Sequence, residues 1–289
     1  MRGHEEASGT KYVPQDLFRL WEEKDPIRIY EQYLLKENII SETEIENIRT
    51  AFRDRIESEL SLGFATDPVE VDTERELDDV FAPLPAANAL VIDNSKSLYE
   101  SPSPVTERRM IDAISEGLRQ SMYQHENLIL MGQDIAEYGG AFKITEGFVK
   151  EFGKDRVRNT PLCESAIVGS ALGLSLKGYK SMMEMQFADF VTVGFNQIVN
   201  NLAKIYYRWG QNADVVIRMP TGAGVGAGPF HSQSNEAWFT HVPGLKVVYP
   251  SSPIDAKGLM IAAINDPNPV MFFEHKGLYR SVSGPVPDE

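Results

Sequence analysis

The chain has 289 residues, 42% of them hydrophobic, which is enough for one large or two small domains with an apolar core. Its formal net charge is −14, and this acidic balance without a basic stripe argues against nucleic-acid binding. A single cysteine excludes an intramolecular disulfide framework, and no apolar run reaches membrane-spanning length. We therefore expect a cytoplasmic protein with no nucleic-acid or membrane partner.

Residues 1–63 are predicted to be mainly helical. Apolar side chains recur at spacings of three and four residues, first over residues 14–24. Pro26 then occupies a position typical of the first turn of a helix. Ser41 and Glu44 have the spacing of a capping box, which predicts the start of a third helix that continues to the end of this region.

Residues 64–104 contain scattered prolines and an acidic run from Glu74 to Asp79. This composition predicts a linker with little structure of its own. The acidic side chains are interpreted as a solvated surface.

From residue 105 the pattern becomes that of an α/β domain, in which strands and helices alternate. Strands are predicted at residues 128–131, 157–160, 179–185, 215–219, 245–249 and 270–273, and helices at 106–123, 189–209 and 254–265. Such alternation predicts a mainly parallel sheet with helices on both faces, preceded here by the α-helical segment.

The stretch from Asn159 to Phe190 holds the most informative side chains. Glu164 lies where a predicted strand passes into a helix of small residues, and its neighbours are apolar or small, so its charge needs a partner. The next strand is followed by Gln186, Phe187 and Phe190. One carboxylate, one amide and an aromatic face suit a heteroaromatic ligand. The alternative is an ordinary carboxylate at a helix N-terminus, favoured by the helix dipole.

A glycine-rich run, TGAGVGAG at residues 221–228, follows the strand at 215–219. It matches neither the G-x-G-x-x-G nucleotide fingerprint nor a P-loop. The pattern is typical of a flexible loop whose glycines have positive φ.

Four motifs occur in one order between about residues 105 and 280: NTPLCE, EMQFADF, HSQS and GLKVVYPSSP. Together they resemble the β subunit of the thiamine-diphosphate-dependent 2-oxo acid dehydrogenases, most of all the branched-chain members. The resemblance implies a transketolase-like pyrimidine-binding domain over residues 105–289, without the family's C-terminal domain. RGHEEASGTKYVP and the following DPI helix are similar to the C-terminal part of the α subunit. Residues 1–63 therefore resemble an α-subunit segment, which residues 64–104 join to the β-like domain as in an α–β fusion.

The resemblance assigns three catalytic residues. Glu164 matches the carboxylate that hydrogen-bonds the aminopyrimidine of thiamine diphosphate. His231 and His4 match histidines that flank the substrate carbonyl as proton donors or oxyanion stabilisers. From the sequence alone, a lone histidine in a polar loop such as His4 is typical of an ordinary surface residue, and it is the resemblance that favours a catalytic role.

The cofactor and metal positions follow from the same resemblance. The positions that line the cofactor are matched by Leu162, Glu164, Gln186 and Phe190. The family's GDG motif for the diphosphate and Mg²⁺ does not occur here, so those ligands are expected outside this chain. Branched-chain members hold K⁺ where this chain has Asp266 and Asn268, whose oxygens are suitable ligands, although the sequence DPNP is equally a turn.

The implied reaction is oxidative decarboxylation of a 2-oxo acid of the 3-methyl-2-oxobutanoate type, with acyl transfer to a lipoyl group. The expected partners are a lipoyl transacylase, an α-type domain and a β C-terminal domain, in an α2β2-like assembly of the full chain. This chain alone is expected to be inactive. The alternatives are pyruvate or acetoin as substrate, a non-catalytic assembly or dimerisation piece, and a related synthase or transketolase domain. The α-like segment argues against the last.

Overall fold

A computed structural model describes residues 9–11, 13–85 and 103–288 of the chain, which divides into two units after Val71. The first unit consists of helices joined by short turns. These are α1 (Gln15–Glu22), α2 (Pro26–Lys36) and α3 (Glu42–Ala65). No residue within these three helices is buried, so the described part of this unit has no core of its own.

The predicted start signals of α2 and α3 are confirmed. The side chain of Asp25 accepts a hydrogen bond from the Arg28 N–H at 3.0 Å, and Pro26 is in the first turn of α2. At α3, the Ser41 hydroxyl accepts from the Glu44 N–H at 3.2 Å, and the Glu44 carboxylate accepts from the Ser41 N–H at 2.8 Å. This reciprocal pair satisfies two backbone donors that the helix leaves free.

The second unit is built on a six-stranded parallel sheet of order β3-β2-β4-β5-β7-β6. Its strands are β2 (Leu128–Gly132), β3 (Val157–Asn159), β4 (Lys180–Glu184), β5 (Val215–Thr221), β6 (Lys246–Val248) and β7 (Val270–His275). Its longer helices are α5 (Met110–Gln124), α7 (Glu164–Ser175) and α10 (Pro253–Asn265), with the short helices α6 (Phe148–Phe152) and α9 (Ala237–Thr240) between them.

Helices cover both faces of this sheet, as predicted. Successive strand residues point to opposite faces: Leu128 and Leu130 belong to one apolar core, whereas Ile129 and Met131 belong to the other. The first core includes residues of α5 and α10, and the second includes residues of α7. Within the described ranges, no helix is both long enough and apolar enough to cross a bilayer.

The predicted helix at 106–123 begins too early, because its first residues form a strand. Residues Val105–Arg109 are β1, which pairs antiparallel with β8 (Ser283–Pro287). The helix α5 then begins at Met110. The partner strand lies at the other end of the sequence, so a local pattern could not reveal this pairing.

The single helix predicted at 189–209 is wrong. The chain instead forms a 3₁₀ segment (Ala188–Gly194), a π segment (Gln197–Leu202) and a short α8 (Ile205–Trp209). Gly194 packs closely against α7, where an added Cβ would lie 3.2 Å from the Val168 side chain. Glycine is also a poor helix former, so this contact and the low propensity interrupt the helix together.

The predicted linker is partly structured. Residues Thr73–Asp78 form α4, and the Asp72 side chain caps it by accepting from the Arg75 N–H at 3.1 Å. Ala82 is only 4% exposed and is held within the second unit. The expectation of little structure is therefore wrong for residues 72–82, whereas residues 86–102 lie outside the described ranges.

Candidate functional site

The carboxyl ends of the parallel strands lie along one edge of the sheet, where open α/β sheets bind their ligands. Five residues that follow different strands here have a buried side-chain nitrogen or oxygen without a hydrogen-bond partner in the described structure: Gln133, Thr160, Asp189, His231 and Lys276. Buried polar atoms without partners are uncommon in folded proteins. Their concentration along one edge indicates a candidate ligand site.

Glu164 is the first residue of α7, immediately after the turn that follows β3. The residue is 9% exposed, and its side chain makes no hydrogen bond or ion pair with any residue that the structure describes. The N-terminal dipole of α7 favours its negative charge. Its carboxylate oxygens therefore have capacity to accept a hydrogen bond from a ligand. Leu162, two residues earlier, is 79% exposed.

An aromatic cluster of Phe187, Phe190 and His231 lies beyond β4. The His231 ring is edge-on to both phenylalanines, with ring centroids 4.7 Å from Phe187 and 5.5 Å from Phe190. The structure thus brings together two of the predicted site residues, His231 and Phe190. Gln186 lies beside them in the chain, and its amide donates to Asp134 at 3.4 Å. No hydrogen bond or ring contact joins Glu164 to this cluster in the described structure.

The loop that carries His231 has glycines with positive φ, as the glycine-rich run predicted. The four glycines of the run, at 222, 224, 226 and 228, all have φ between 69° and 124°. Gly222 also touches another strand, since an added Cβ would lie 2.6 Å from the His275 ring. A side chain there would be excluded both by the backbone conformation and by this contact.

Asp189 fixes the far end of this loop. One of its carboxylate oxygens accepts hydrogen bonds from the N–H groups of Ser232 and Gln233, each at 3.1 Å. The carbonyl of Gln233 in turn accepts from the Gly222 N–H at 2.9 Å and from the Thr221 hydroxyl at 3.0 Å. The two ends of the loop are therefore joined, and His231 is held next to the point of attachment.

A buried charge network lies behind this edge. Arg218 on β5 donates from Nε and Nη2 to Glu274 on β7 at 2.6 and 2.9 Å, and from Nη1 to Glu184 on β4. The Tyr279 hydroxyl donates to the same Glu274 carboxylate. Burial raises the pKa of Glu184 although Arg218 opposes this, and burial also raises the pKa of Tyr279 well above its ordinary value. The network joins the ends of the three strands that lead into the site.

Comparison with known proteins gives this geometry a family. The family model described as "Transketolase, pyrimidine binding domain" matches residues 106–282, which is more than half of the chain. The chain belongs to this pyrimidine-binding domain family. The matched region contains the whole six-stranded sheet and the carboxyl edge described above.

Three curated relatives of this pyrimidine-binding domain are similar over the same part of the chain. A "2-oxoisovalerate dehydrogenase subunit beta" of Bacillus subtilis is 46% identical over 61% of this chain and 55% of its own length. A "2-oxoisovalerate dehydrogenase subunit beta 2, mitochondrial" of Arabidopsis thaliana is 46% identical over 62% and 51%. A "Pyruvate dehydrogenase E1 component subunit beta" of Bacillus subtilis is 46% identical over 64% and 58%. The chain thus spans about half the length of the curated relatives it matches.

Two residues at this carboxyl edge have the chemical groups that an aminopyrimidine ring would need. Glu164 offers a carboxylate that has no partner among the described residues, and Phe190 offers an aromatic ring beside His231. The roles assigned to Gln186 and Leu162 stay predictions. His4 lies outside the described residues.

The pair expected to bind K⁺ is engaged within the domain itself. Asp266 accepts hydrogen bonds on one oxygen from the Asn268 N–H and amide, both at 2.9 Å, and on the other from Lys246 at 2.5 Å. The Asn268 side-chain oxygen accepts from the Ala82 N–H at 2.7 Å. In the described ranges, no group of three or more His, Cys, Asp or Glu side chains is placed to hold a metal ion. The K⁺ site stays a prediction.

Three residues at or behind this edge were missed by the sequence analysis. Asp189 lies inside the QFADF motif, and Lys276 lies in FFEHKGLYR, but neither was singled out. Arg218 carried a usable signal, because a charged residue in the apolar strand VVIRM must have a buried partner.

Proposed function

We propose that this chain supplies the pyrimidine-binding part of the active site of a thiamine-diphosphate-dependent 2-oxo acid dehydrogenase. The observation that carries this proposal is Glu164, a buried residue at the start of α7 whose carboxylate has no partner in the part of the chain that the structure describes. It lies in a domain of the pyrimidine-binding family, and relatives 46% identical to the chain are β subunits of such dehydrogenases.

Glu164 would accept a hydrogen bond from the aminopyrimidine ring, and Phe190 would stack on that ring. Gln186 and Leu162 would line the remaining surface. The thiamine diphosphate, when bound, would supply the electron sink for decarboxylation. Glu164 would share a proton between its carboxylate oxygen and a nitrogen of the ring. General acid–base catalysis requires a side chain positioned in this way for proton transfer.

His231 would face the substrate. It is held by the loop that Asp189 joins to the strand end, and its Nδ1 is buried and has no hydrogen-bond partner among the described residues. A histidine so placed can donate a proton to the substrate oxygen or stabilise negative charge there. His4 would act with it. The acyl product would pass to a lipoyl group on a transacylase partner.

We propose a branched-chain 2-oxo acid as substrate because LCE, QFADF and FFEHKGLYR resemble that branch. Burying a methylene contributes about 0.8 kcal/mol, so two or three extra carbons give roughly 10- to 100-fold discrimination. Pyruvate is the second candidate, because the identity to the pyruvate dehydrogenase subunit is also 46%. Comparing kcat/KM for 3-methyl-2-oxobutanoate and pyruvate tests the assignment, and an equal or higher value for pyruvate overturns it.

The remaining parts of the site are proposed to lie elsewhere. Mg²⁺ and the diphosphate would be held by an α-type domain, and residues 1–63 would be the tail of such a domain, in an α2β2-like assembly. The experiment is calorimetry with thiamine diphosphate and Mg²⁺, followed by a decarboxylation assay, on this chain and on its complete reading frame. Tight Mg²⁺-dependent binding by the 289-residue chain alone contradicts a divided site. Absence of turnover in the complete protein favours an assembly piece.

A further inference from the structure

Lys276 is a buried lysine at the candidate site. It is the first residue of the 3₁₀ turn Lys276–Leu278, which follows β7 at the carboxyl edge of the sheet. It is only 7% exposed. Its Nζ is buried and has no hydrogen-bond partner among the residues that the structure describes.

This state is unfavourable for a lysine that serves only to stabilise the fold. Lysine is almost never fully buried unless it is paired, because its ammonium loses hydration without compensation. Burial lowers the pKa of Lys276, and the charge of Asp189 opposes that shift only in part. By contrast, the buried Lys257 donates to the Pro287 carbonyl at 2.5 Å and lies 3.5 Å from Glu116. Lys257 is thus a buried lysine with partners, whereas Lys276 has none in the part of the chain that the structure describes.

The Lys276 ammonium is directed at the aromatic cluster. Its Nζ lies 5.1 Å from the centroid of the Phe187 ring, and the centroids of the Phe187 and His231 rings are 4.7 Å apart. A cation–π contact is weaker than a charge-assisted hydrogen bond to an anion. Asp189 makes no ion pair with Lys276 in the described structure, and one of its oxygens is already taken by the loop N–H groups. Lys276 and His231 thus both contact the Phe187 ring. Because the ring is only a weak partner, the Lys276 ammonium can still bind an anionic group of a ligand.

We propose that Lys276 binds the carboxylate of the 2-oxo acid substrate, with His231 serving the adjacent carbonyl oxygen. This assignment rests on the proposed function. A 2-oxo acid carries a carboxylate next to a carbonyl, so a cation and a proton donor on one aromatic ring match both groups. Lys276 would recognise what all 2-oxo acids share, and it would not select among their side chains.

The kinetic consequence follows from the chemistry of decarboxylation. The carboxylate is present in the bound substrate and its charge is lost as CO₂ leaves, so an ion pair with Lys276 stabilises the ground state at least as well as the transition state. Removing such an interaction raises KM and leaves kcat unchanged or higher. A residue that only supports the fold gives no such pattern.

The test compares Lys276→Met and Lys276→Arg with the wild-type full-length protein, and uses Lys180→Met as the matched control. Lys180 also loses a charge, but it lies at the amino end of β4 and pairs with Asp214 at 2.8 Å. Ligand-observed NMR would measure binding of 3-methyl-2-oxobutanoate, of the uncharged 3-methyl-2-butanone, and of inorganic phosphate. Steady-state kinetics would give kcat and KM separately.

We expect Lys276→Met to weaken 2-oxo acid binding by roughly 10- to 100-fold, the scale of one charged hydrogen bond, and to leave ketone binding unchanged. Lys276→Arg should retain most of the binding, and Lys180→Met all of it. Unchanged 2-oxo acid affinity in folded Lys276→Met, or a loss confined to phosphate, overturns the assignment. If neither variant folds, the wild type still decides, because equal affinity for acid and ketone also overturns it.

The binding measurement needs no turnover, so the two proposals can fail separately. Lysine-dependent binding of the 2-oxo acid without thiamine-diphosphate-dependent turnover supports Lys276 and contradicts the proposed reaction. Turnover with an unaltered KM in Lys276→Met supports the reaction and contradicts the role of Lys276.

Discussion

The side-chain amide of Asn268 holds the backbone of Ala82 at both of its polar groups. The Ala82 N–H donates to the Asn268 oxygen at 2.7 Å, and the Asn268 amide donates to the Ala82 carbonyl at 3.0 Å. The Glu76 carboxylate accepts from the Tyr207 hydroxyl at 3.0 Å, and Lys246 lies over the Phe81 ring at 5.6 Å. Residues 72–85, which include the acidic run, are therefore attached to the rest of the second unit.

Replacing Asn268 by Ala should detach this segment. The change removes both hydrogen bonds and leaves the buried groups of Ala82 unsatisfied, which costs about 1–3 kcal/mol. Urea unfolding should show this loss, and proteolysis should become faster around residues 72–85. Asn200→Ala is the control, because in the described structure the exposed Asn200 side chain is hydrogen-bonded only to side chains four residues away. Equal proteolysis of the two variants would contradict the attachment.

Replacing Arg218 by Met should be strongly destabilising. The guanidinium is the only positive charge in the buried network, so its loss leaves the Glu184 and Glu274 carboxylates buried together. Removing one partner of a buried ion pair costs about 3–5 kcal/mol. Arg49→Met removes a pair with Glu31 whose arginine is 53% exposed, and should cost less than about 1 kcal/mol. Similar unfolding midpoints for the two variants would show that the network contributes little.

Replacing Asp189 by Ala should release the loop that carries His231. The Ser232 and Gln233 N–H groups would lose their charged acceptor, and hydrogen bonds to charged groups contribute about 1.5–3 kcal/mol. Hydrogen exchange at these two amides should therefore accelerate by roughly 10- to 100-fold. Asp189→Asn keeps an oxygen acceptor, so the exchange rates of these amides in this variant should lie between those of the wild type and those of Asp189→Ala. If both amides exchange at the wild-type rate in Asp189→Ala, the loop is held by other contacts.

Replacing Glu164 by Gln tests the proposed proton role in the complete enzyme. The amide is nearly isosteric, so cofactor affinity should be largely retained. Proton transfer should slow by about two to four orders of magnitude, the usual contribution of a positioned acid or base. Hydrogen–deuterium exchange at the thiazolium carbon of bound thiamine diphosphate measures this directly. An unchanged rate would make Glu164 a helix N-terminal carboxylate, the alternative that its position also allows.

Signals confined to a few neighbouring residues predicted the fold well. The capping box of Ser41 and Glu44, the first-turn Pro26 and the positive-φ glycines of residues 221–228 each depend on local backbone geometry, and all are confirmed. Apolar runs located the six sheet strands because buried parallel strands are apolar on both faces.

Features that depend on distant partners were not predicted. Residues 105–109 form a strand because β8 pairs with them, and residues 72–82 are ordered partly because Asn268 binds Ala82. The same holds for the candidate site. His231 and Phe190 could be inferred individually, but the position of Lys276 over Phe187 arises only when β4 and β7 are brought to one edge of the sheet.

The pairing of β1 with β8 brings together the two ends of the part of the second unit that runs from Val105 to Pro287. Val105 lies opposite Pro287 in the ladder, so the chain enters and leaves this part of the fold at one point on its surface. Domains with adjacent entry and exit tolerate insertion into a host loop, and also circular permutation through a short connection. A permutant that joins these two strands and opens an exposed turn far from the carboxyl edge should keep the same sheet.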